Sequence, residues 1–266
     1  MNPETTLTNE QITSIFRHYG LAENPKIRRI TIGFTNELYE VDNYILKVCA
    51  RENFEDKFDN EVSLYRKLQG KATVPEIVMA DNSKQLLPRP YMIYKKIPGE
   101  SLGGHWHELN NKQRKAIIKE LCRQIKLIAK LEPNPRLESG QTWQDQVVTG
   151  LEKDLAVIAE KKLLPETTQN QISDFVEANK HVLEKQDLAL LYWDVGLDNI
   201  IVDEQGQMVG LIDFEHTGVV SIDFLLDIVQ QMVRYPWLTV SPEVERFTDQ
   251  KDYEHVMDWY KEFYPE

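Results

Sequence analysis

Cysteine is nearly missing from the 266 residues, with Cys49 and Cys122 the two present. One pair cannot build the disulfide framework of a small secreted domain, and neither a CxxC step nor a zinc-ligand spacing occurs. Long apolar runs are missing too. The longest, such as residues 188–193, are about a strand long, far short of the ~20 apolar residues of a membrane-spanning helix. The opening MNPETTLTNE has neither a basic start nor an apolar stretch and does not read as a secretion signal. Positive charge is in deficit, 31 Lys+Arg against 43 Asp+Glu for a net −12, which removes the basic face that nucleic-acid binders present. These absences point to a soluble, cytoplasmic chain without a nucleic-acid or membrane partner. The acidic balance is compatible with a cationic ligand. GxGxxG and HExxH do not occur, and Gly70-Lys71 lacks both the upstream glycine and the following Ser/Thr of the pattern GxxxxGK[ST].

What is present is an ordinary globular balance, 41% hydrophobic and 28% charged, in a chain long enough for one large domain or two lobes of ~100–170 residues. After a helix over residues 7–19, β-branched and aromatic residues predict strands at 26–32, 37–41 and 44–49. Gly33 breaks the first pair and Asp42-Asn43 forms a hairpin turn between the others. A helix over 52–68 and short strands at 76–79 and 91–94 follow. Ile97-Pro98-Gly99 then starts a linker and the composition becomes helical. Helices are expected at 110–131, capped by Asn110 or Asn111, and at 143–161, 168–185, 223–235 and after Ser241-Pro242. Strands at 188–192, 200–202 and 208–212 are set among them. The expectation is an α+β chain: a small β-rich lobe, residues 1–96, joined to a larger, mainly helical lobe, residues 97–266.

Two constellations carry chemistry. Lys47 lies mid-strand between Leu46 and Val48, where a lysine needs solvent or a partner. The helix over 52–68 has an apolar stripe of Phe54, Phe58, Tyr65 and Leu68, and the position completing its spacing is Glu61, a carboxylate on the face expected to pack on the sheet. Pairing the two answers both anomalies; an edge-strand lysine and a helix-rim glutamate is the alternative. In the second constellation Asp194 ends an apolar run, Asn199 opens the strand at 200–202 and Asp213 closes that at 208–212. A turn at Glu204-Gln-Gly-Gln207 lets those strands pair with Ile200 opposite Leu211, bringing Asn199 and Asp213 to one open end. Two oxygen ligands there suit Mg²⁺, and Asp194 is placed to orient a hydroxyl or accept its proton. Ordinary turn-forming Asp and Asn is the alternative reading. As a strand, His105-Trp106-His107 would aim two imidazoles one way, but a loop histidine pair is ordinarily just solvated.

The order Lys47, Glu61, Asp194-x4-Asn199, Asp213 resembles that of protein-kinase-like phosphotransferases. More narrowly, YWDVGLDNIIVD followed by LIDFEHTG resembles the HGDxxxxN and IDxxxxG signatures of the aminoglycoside phosphotransferase and choline kinase family. ITIGFTNELYEVDNYILKV is similar to that family's nucleotide flap and lysine strand, and YMIYKKIPGESL to its interlobe hinge. The resemblance implies a two-lobed kinase-like fold and transfer of the γ-phosphate of ATP or GTP to a small-molecule hydroxyl. Lys47, held by Glu61, would contact the phosphates under a flap containing Gly33 and Asn36, with the purine on the backbone of Tyr94, Lys95, Lys96 and Ile97. Asn199 and Asp213 would hold Mg²⁺, and Asp194 would be the catalytic residue. A bulky Tyr94 at the inner end of the hinge would narrow the purine pocket, as a large residue does in relatives that favour GTP.

Three departures bear on the acceptor. Tyr192-Trp193 replaces the usual His-Gly, Asp223-Phe224 replaces an Asp-Pro, and Glu215 follows Asp213-Phe214 as in choline-kinase-like members. Trp193, Asp223 and Asp227 are the candidate acceptor contacts. Residues 241–266 carry eight acids against three bases, which would attract a cationic aminoglycoside unless they form a solvated helix face. Trp237, Trp259 and Tyr260 either cage a quaternary amine or pack. An aminoglycoside or similar aminated sugar is the expected acceptor. A choline-, amino-alcohol- or sugar-kinase-like enzyme and a nucleotide-binding pseudokinase are the alternatives.

Overall fold

The computed structural model describes residues 6–31, 36–50, 54–133, 142–222, 258–259 and 261–263. The N-terminal lobe is a five-stranded antiparallel sheet in the order β1-β2-β3-β5-β4, built from β1 (Ile27–Ile30), β2 (Asn36–Val41), β3 (Tyr44–Cys49), β4 (Ile77–Asp81) and β5 (Tyr91–Lys95). The β2–β3 turn puts Asp42 at a φ of 52°, as a tight hairpin demands. Side chains alternate across the sheet. Leu46 and Val48 of β3 join Ile12, Ile15 and Phe16 of α1 (Asn9–His18) in one core, while Ile45 and Cys49 join the other core against α2 (Glu55–Leu68). Lys47, between Leu46 and Val48, therefore faces α2. Behind α1, the Tyr19 and Tyr91 hydroxyls donate to the Asp81 carboxylate at 3.4 and 3.0 Å, and the Ser83 amide joins them at 2.7 Å.

The second lobe begins with β6 (Glu100–Ser101), followed by α3 (Asn111–Ile128), α4 (Trp143–Glu160), α5 (Glu166–Asn179), β7 (Leu188–Tyr192), β8 (Ile200–Val202), β9 (Met208–Leu211) and β10 (Thr217–Ser221). A reciprocal Asn110–Gln113 capping box starts α3, whose inner face buries Ile117, Ile118, Leu121, Cys122, Ile125 and Ile128. The β8–β9 register pairs Ile200 with Leu211, as expected. Two strands depart from the sequence reading. The supposed linker contains β6, which extends the hairpin to a three-stranded sheet, and β10 pairs antiparallel with β7. The expected helix over 168–185 gives way after Asn179 to a 3₁₀ turn, Lys180–Leu183. His105 and Trp106 lie in consecutive 3₁₀ turns, with His105 between Glu100 and Glu108 and Trp106 fully buried, so the strand-borne histidine pair does not form. One core continues from α2 through α3 to β7 and β9, so both lobes share it. Trp259 and Phe263 pack against it, and Glu262 pairs with Lys115 at 2.8 Å. Trp259 is thus a packing residue. The helices expected at 223–235 and after Ser241, with Trp237 and Tyr260, lie outside the described residues.

Candidate active site

Alternation along β3 and the inner face of α2 bring Lys47 and Glu61 together inside the protein, with side chains 4% and 0% exposed and Nζ 2.7 Å from Oε2. Lys47 also reaches Asp213 at 2.9 Å and Glu215 at 3.3 Å. Asp213 is the member of this group that looks outward, its side chain 35% exposed. Burial alone would lower the Lys47 pKa, but Asp213, Glu61 and Glu215 together hold it well above the usual lysine value, so the ammonium is permanent. Three carboxylates outnumber one ammonium. Burial raises the Glu61 pKa to about 7 against the pull of Lys47, with Asp213 and Glu215 adding to the rise. Burial would raise Asp213 too, but Lys47 outweighs it and keeps that carboxyl below its ordinary range.

Asp213 follows β9 directly and has a φ of 64°. The Ile212 amide donates to the Asn199 carbonyl at 2.9 Å, so the predicted metal pair does share one end of the hairpin. Asn199 donates its side-chain Nδ2 to the Asp194 carbonyl at 3.0 Å, which leaves the amide oxygen to turn toward a cation. Asp194 sits two residues beyond β7. Burial raises its pKa, opposed chiefly by His216, so this carboxylate is a stronger proton acceptor than a solvated aspartate. The Trp193 amide donates to the His216 carbonyl at 3.1 Å, continuing the β7–β10 ladder, and the indole lies over Gly218, where an added Cβ would meet it at 3.2 Å.

With Lys47, Glu61 and Asp213 in contact and Asn199 bonded to the Asp194 carbonyl, the chain can be compared with known proteins. Residues 26–253 match the model of a family described as "Phosphotransferase enzyme family". The chain belongs to this family. It is a small-molecule phosphotransferase of kinase-like fold. No curated protein matches the sequence at a significant level. Among solved structures, the streptomycin–ATP–APH(2'')-IIa ternary complex is similar with a TM-score of 0.65 at 19% identity, covering 84% of this chain and 75% of that one. ADP-bound aminoglycoside phosphotransferase APH(2'')-Ib gives 0.63 at 15% identity, over 97% of this chain and 99% of that one. The GDP complex of aminoglycoside 2'-phosphotransferase-IIIa gives 0.65 at 16%, over 96% and 89%. At such identities the likeness is one of fold.

The remaining predicted positions divide. Asn36 is buried and its side chain donates to Glu215, tying β2 to the Asp213 loop. Tyr94 is buried at the inner end of β5, opposite Ile45 and Ile77, its ring 6.3 Å from that of Tyr65. The amides of Lys95 and Lys96 donate to the carbonyls of Glu76 and Asn43 at 3.0 and 2.9 Å, and both side chains form surface ion pairs, with Glu76 and Glu40. Ile97 rests on Gly210, where a Cβ would meet its Cδ1 at 2.6 Å. Gly33, Asp223 and Asp227 lie outside the described residues. Sequence reasoning missed Tyr65, Glu215 and the Tyr192 hydroxyl as members of the site. The signal for Tyr65 and Tyr192 is that a buried tyrosine oxygen must find a partner.

Proposed function

We propose that this phosphotransferase moves the γ-phosphoryl group of ATP or GTP to a hydroxyl of a small aminated sugar, an aminoglycoside being the favoured class, with Mg²⁺ as cofactor. The observation that carries the reading is the convergence of Lys47, Glu61, Asp213 and Asn199 beside Asp194. Lys47, fixed by Glu61, binds the α/β-phosphates, and a flap containing Gly33 and Asn36 would cover them. With the Lys95 and Lys96 amides engaged inside the lobe, the hinge donor for the purine is the Ile97 amide. The lobe boundary falls at this hinge, after Lys96. The side chains present fit Mg²⁺: Asn199 and Asp213 offer oxygens, and Asp213 clusters with the carboxylates of Glu61 and Glu215, whose buried Oε2 has no hydrogen-bond partner among the described residues. Mg²⁺, when bound, neutralises phosphate charge. Asp194 orients the acceptor hydroxyl and takes its proton as the oxygen attacks phosphorus and the nucleoside diphosphate departs. Trp193 offers the acceptor an aromatic face beside Asp194, with Asp223 and Asp227 as carboxylates for its amines.

The nucleotide complexes of the structural neighbours contain ATP, ADP and GDP, which supports a purine co-substrate without choosing one. Tyr94→Ala is expected to raise ATP affinity relative to GTP; an unchanged ratio would remove the narrowing role. The decisive test is turnover with an aminoglycoside panel. Asp194→Ala should lower kcat by about 100- to 10,000-fold while leaving nucleotide affinity intact. Equal trace turnover in both proteins would favour the nucleotide-binding pseudokinase. Glu215 after Asp213-Phe214 favours a second acceptor class, choline or another amino alcohol, and turnover of those alone would select it.

A further inference from the structure

The carbonyl of Ile212 and the amide of Asp213 are the two polar ends of one peptide group. The Tyr192 hydroxyl donates to the carbonyl at 3.1 Å, and the amide donates to the Tyr65 hydroxyl at 2.8 Å. One tyrosine ends β7 in the second lobe and the other lies in α2 of the first, and both are buried, at 0% and 1% exposure. Their rings flank Phe214, with centroids 4.9 and 5.1 Å from it. Packing around Phe214 needs only the rings, for which phenylalanine would serve. The two oxygens are instead spent on a single peptide, and the residue it leads into, Asp213, has the left-handed φ that non-glycine residues rarely adopt. The hold extends outward. Tyr65 donates to Glu61 Oε1 at 2.8 Å, and the Phe214 amide donates to the same oxygen at 3.2 Å. Burial keeps both phenols protonated.

We propose that Tyr65 and Tyr192 form a clamp on the Ile212–Asp213 peptide, two positioning residues that hold Asp213 in its left-handed conformation and so present its carboxylate to Lys47 and to the cation that accompanies the nucleotide. This rests on the Mg²⁺-dependent reading above and adds to it the residues that aim the metal ligand. A clamp residue should matter to the metal-dependent part of nucleotide binding and leave the rest alone. A tyrosine that merely fills space should affect both parts or neither.

The test is isothermal titration of wild type, Tyr192→Phe and Tyr65→Phe with ATP and with GTP, each in Mg²⁺ and in excess EDTA. For a folded Tyr192→Phe protein, the clamp requires the affinity gained from Mg²⁺ to shrink about tenfold, the equivalent of one buried hydrogen bond, with the Kd in EDTA unchanged. In turnover assays kcat should fall while the acceptor KM stays put. An unchanged Mg²⁺ gain, or an equal loss with and without Mg²⁺, would overturn the clamp while leaving the phosphotransferase reading standing. A wild type that binds neither nucleotide would overturn that reading and the clamp with it. Tyr65→Phe reads the same ratio from the amide side, so the proposal is decided even where one variant fails to fold.

Discussion

Lys47 is the residue on which the buried charge converges, and its loss should be felt in stability as well as activity. Lys47→Met would leave Glu61 and Glu215 buried without their cation, a change expected to cost about 3–5 kcal/mol in urea unfolding. Asp81 gives a prediction away from the site. Hydrogen bonds from Ser83 chiefly, with Tyr91 and Tyr19, hold its pKa below the usual aspartate value. The folded value is depressed, so the stability it lends is complete above the ordinary aspartate range and is lost as pH falls through the lower folded value. The Tm difference between wild type and Asp81→Asn should therefore stay constant from neutral pH down to about 5 and shrink below about 4. A difference that grows with acidity would contradict the assignment. At this scale the sequence was most legible where a residue broke its own pattern: a lysine inside a strand and a glutamate on an apolar stripe must meet something. Tyr65 fits its apolar stripe and Tyr192 stands out only against the family's His-Gly, so the partners of their hydroxyls emerged only when the fold placed a backbone carbonyl and an amide beside them.

Among the elements, those with strong periodicity were readable to within a few residues. Helix α3 announces itself by its apolar spacing and its Asn110 cap, and Asn110→Ala should cost about 1 kcal/mol in thermal unfolding. The two strands that escaped notice are stabilised from outside their own sequence. β6 is two residues long and exists because Glu100 and Ser101 pair with Val202 and Ile201. β10, Thr217–Ser221, contains a glycine and follows the Asp213 loop, and it is a strand because β7 needs a partner. The chain reaches β6 through Gly99, whose φ is 141° and where a Cβ would fall 2.4 Å from the Val202 carbonyl oxygen. Backbone cannot step aside as a flexible side chain can. Gly99→Ala should destabilise by about 1–3 kcal/mol or more, whereas Gly210→Ala, which meets side chains of Ile97 and Ile201 and no backbone, should cost less and act on the hinge.

Across the whole molecule, the two lobes are held by a shared core and by buried polar ties: Lys47 to Asp213 and Glu215, Asn36 to Glu215, and Tyr65 to the Asp213 amide. Ties of this kind predict that the lobes unfold as one unit. If the proposed Mg²⁺-nucleotide site is right, nucleotide with Mg²⁺ at a hundred times Kd should add about 2.7 kcal/mol, a Tm rise of several degrees, and Asp213→Ala should abolish the Mg²⁺-dependent part. The lobe arrangement was legible because both constellations had to come from different parts of the chain and still meet. The acceptor was not, because Trp193 is the sole predicted acceptor contact among the described residues.

Cys49 and Cys122 turn the unfolding question into something that can be timed. One closes β3 in the first lobe, the other lies on the inner face of α3 in the second, and both are sealed in the core, where burial lifts the Cys122 thiol to about 12. The five tryptophans, by contrast, all follow residue 96, so indole fluorescence watches only the second lobe. A thiol-reactive dye added to the native protein can reach either sulfur only when its surroundings open, so the chain carries one built-in clock per lobe. Clocks that run at the same rate, and slow together when nucleotide is added, would describe a molecule that breathes as a whole.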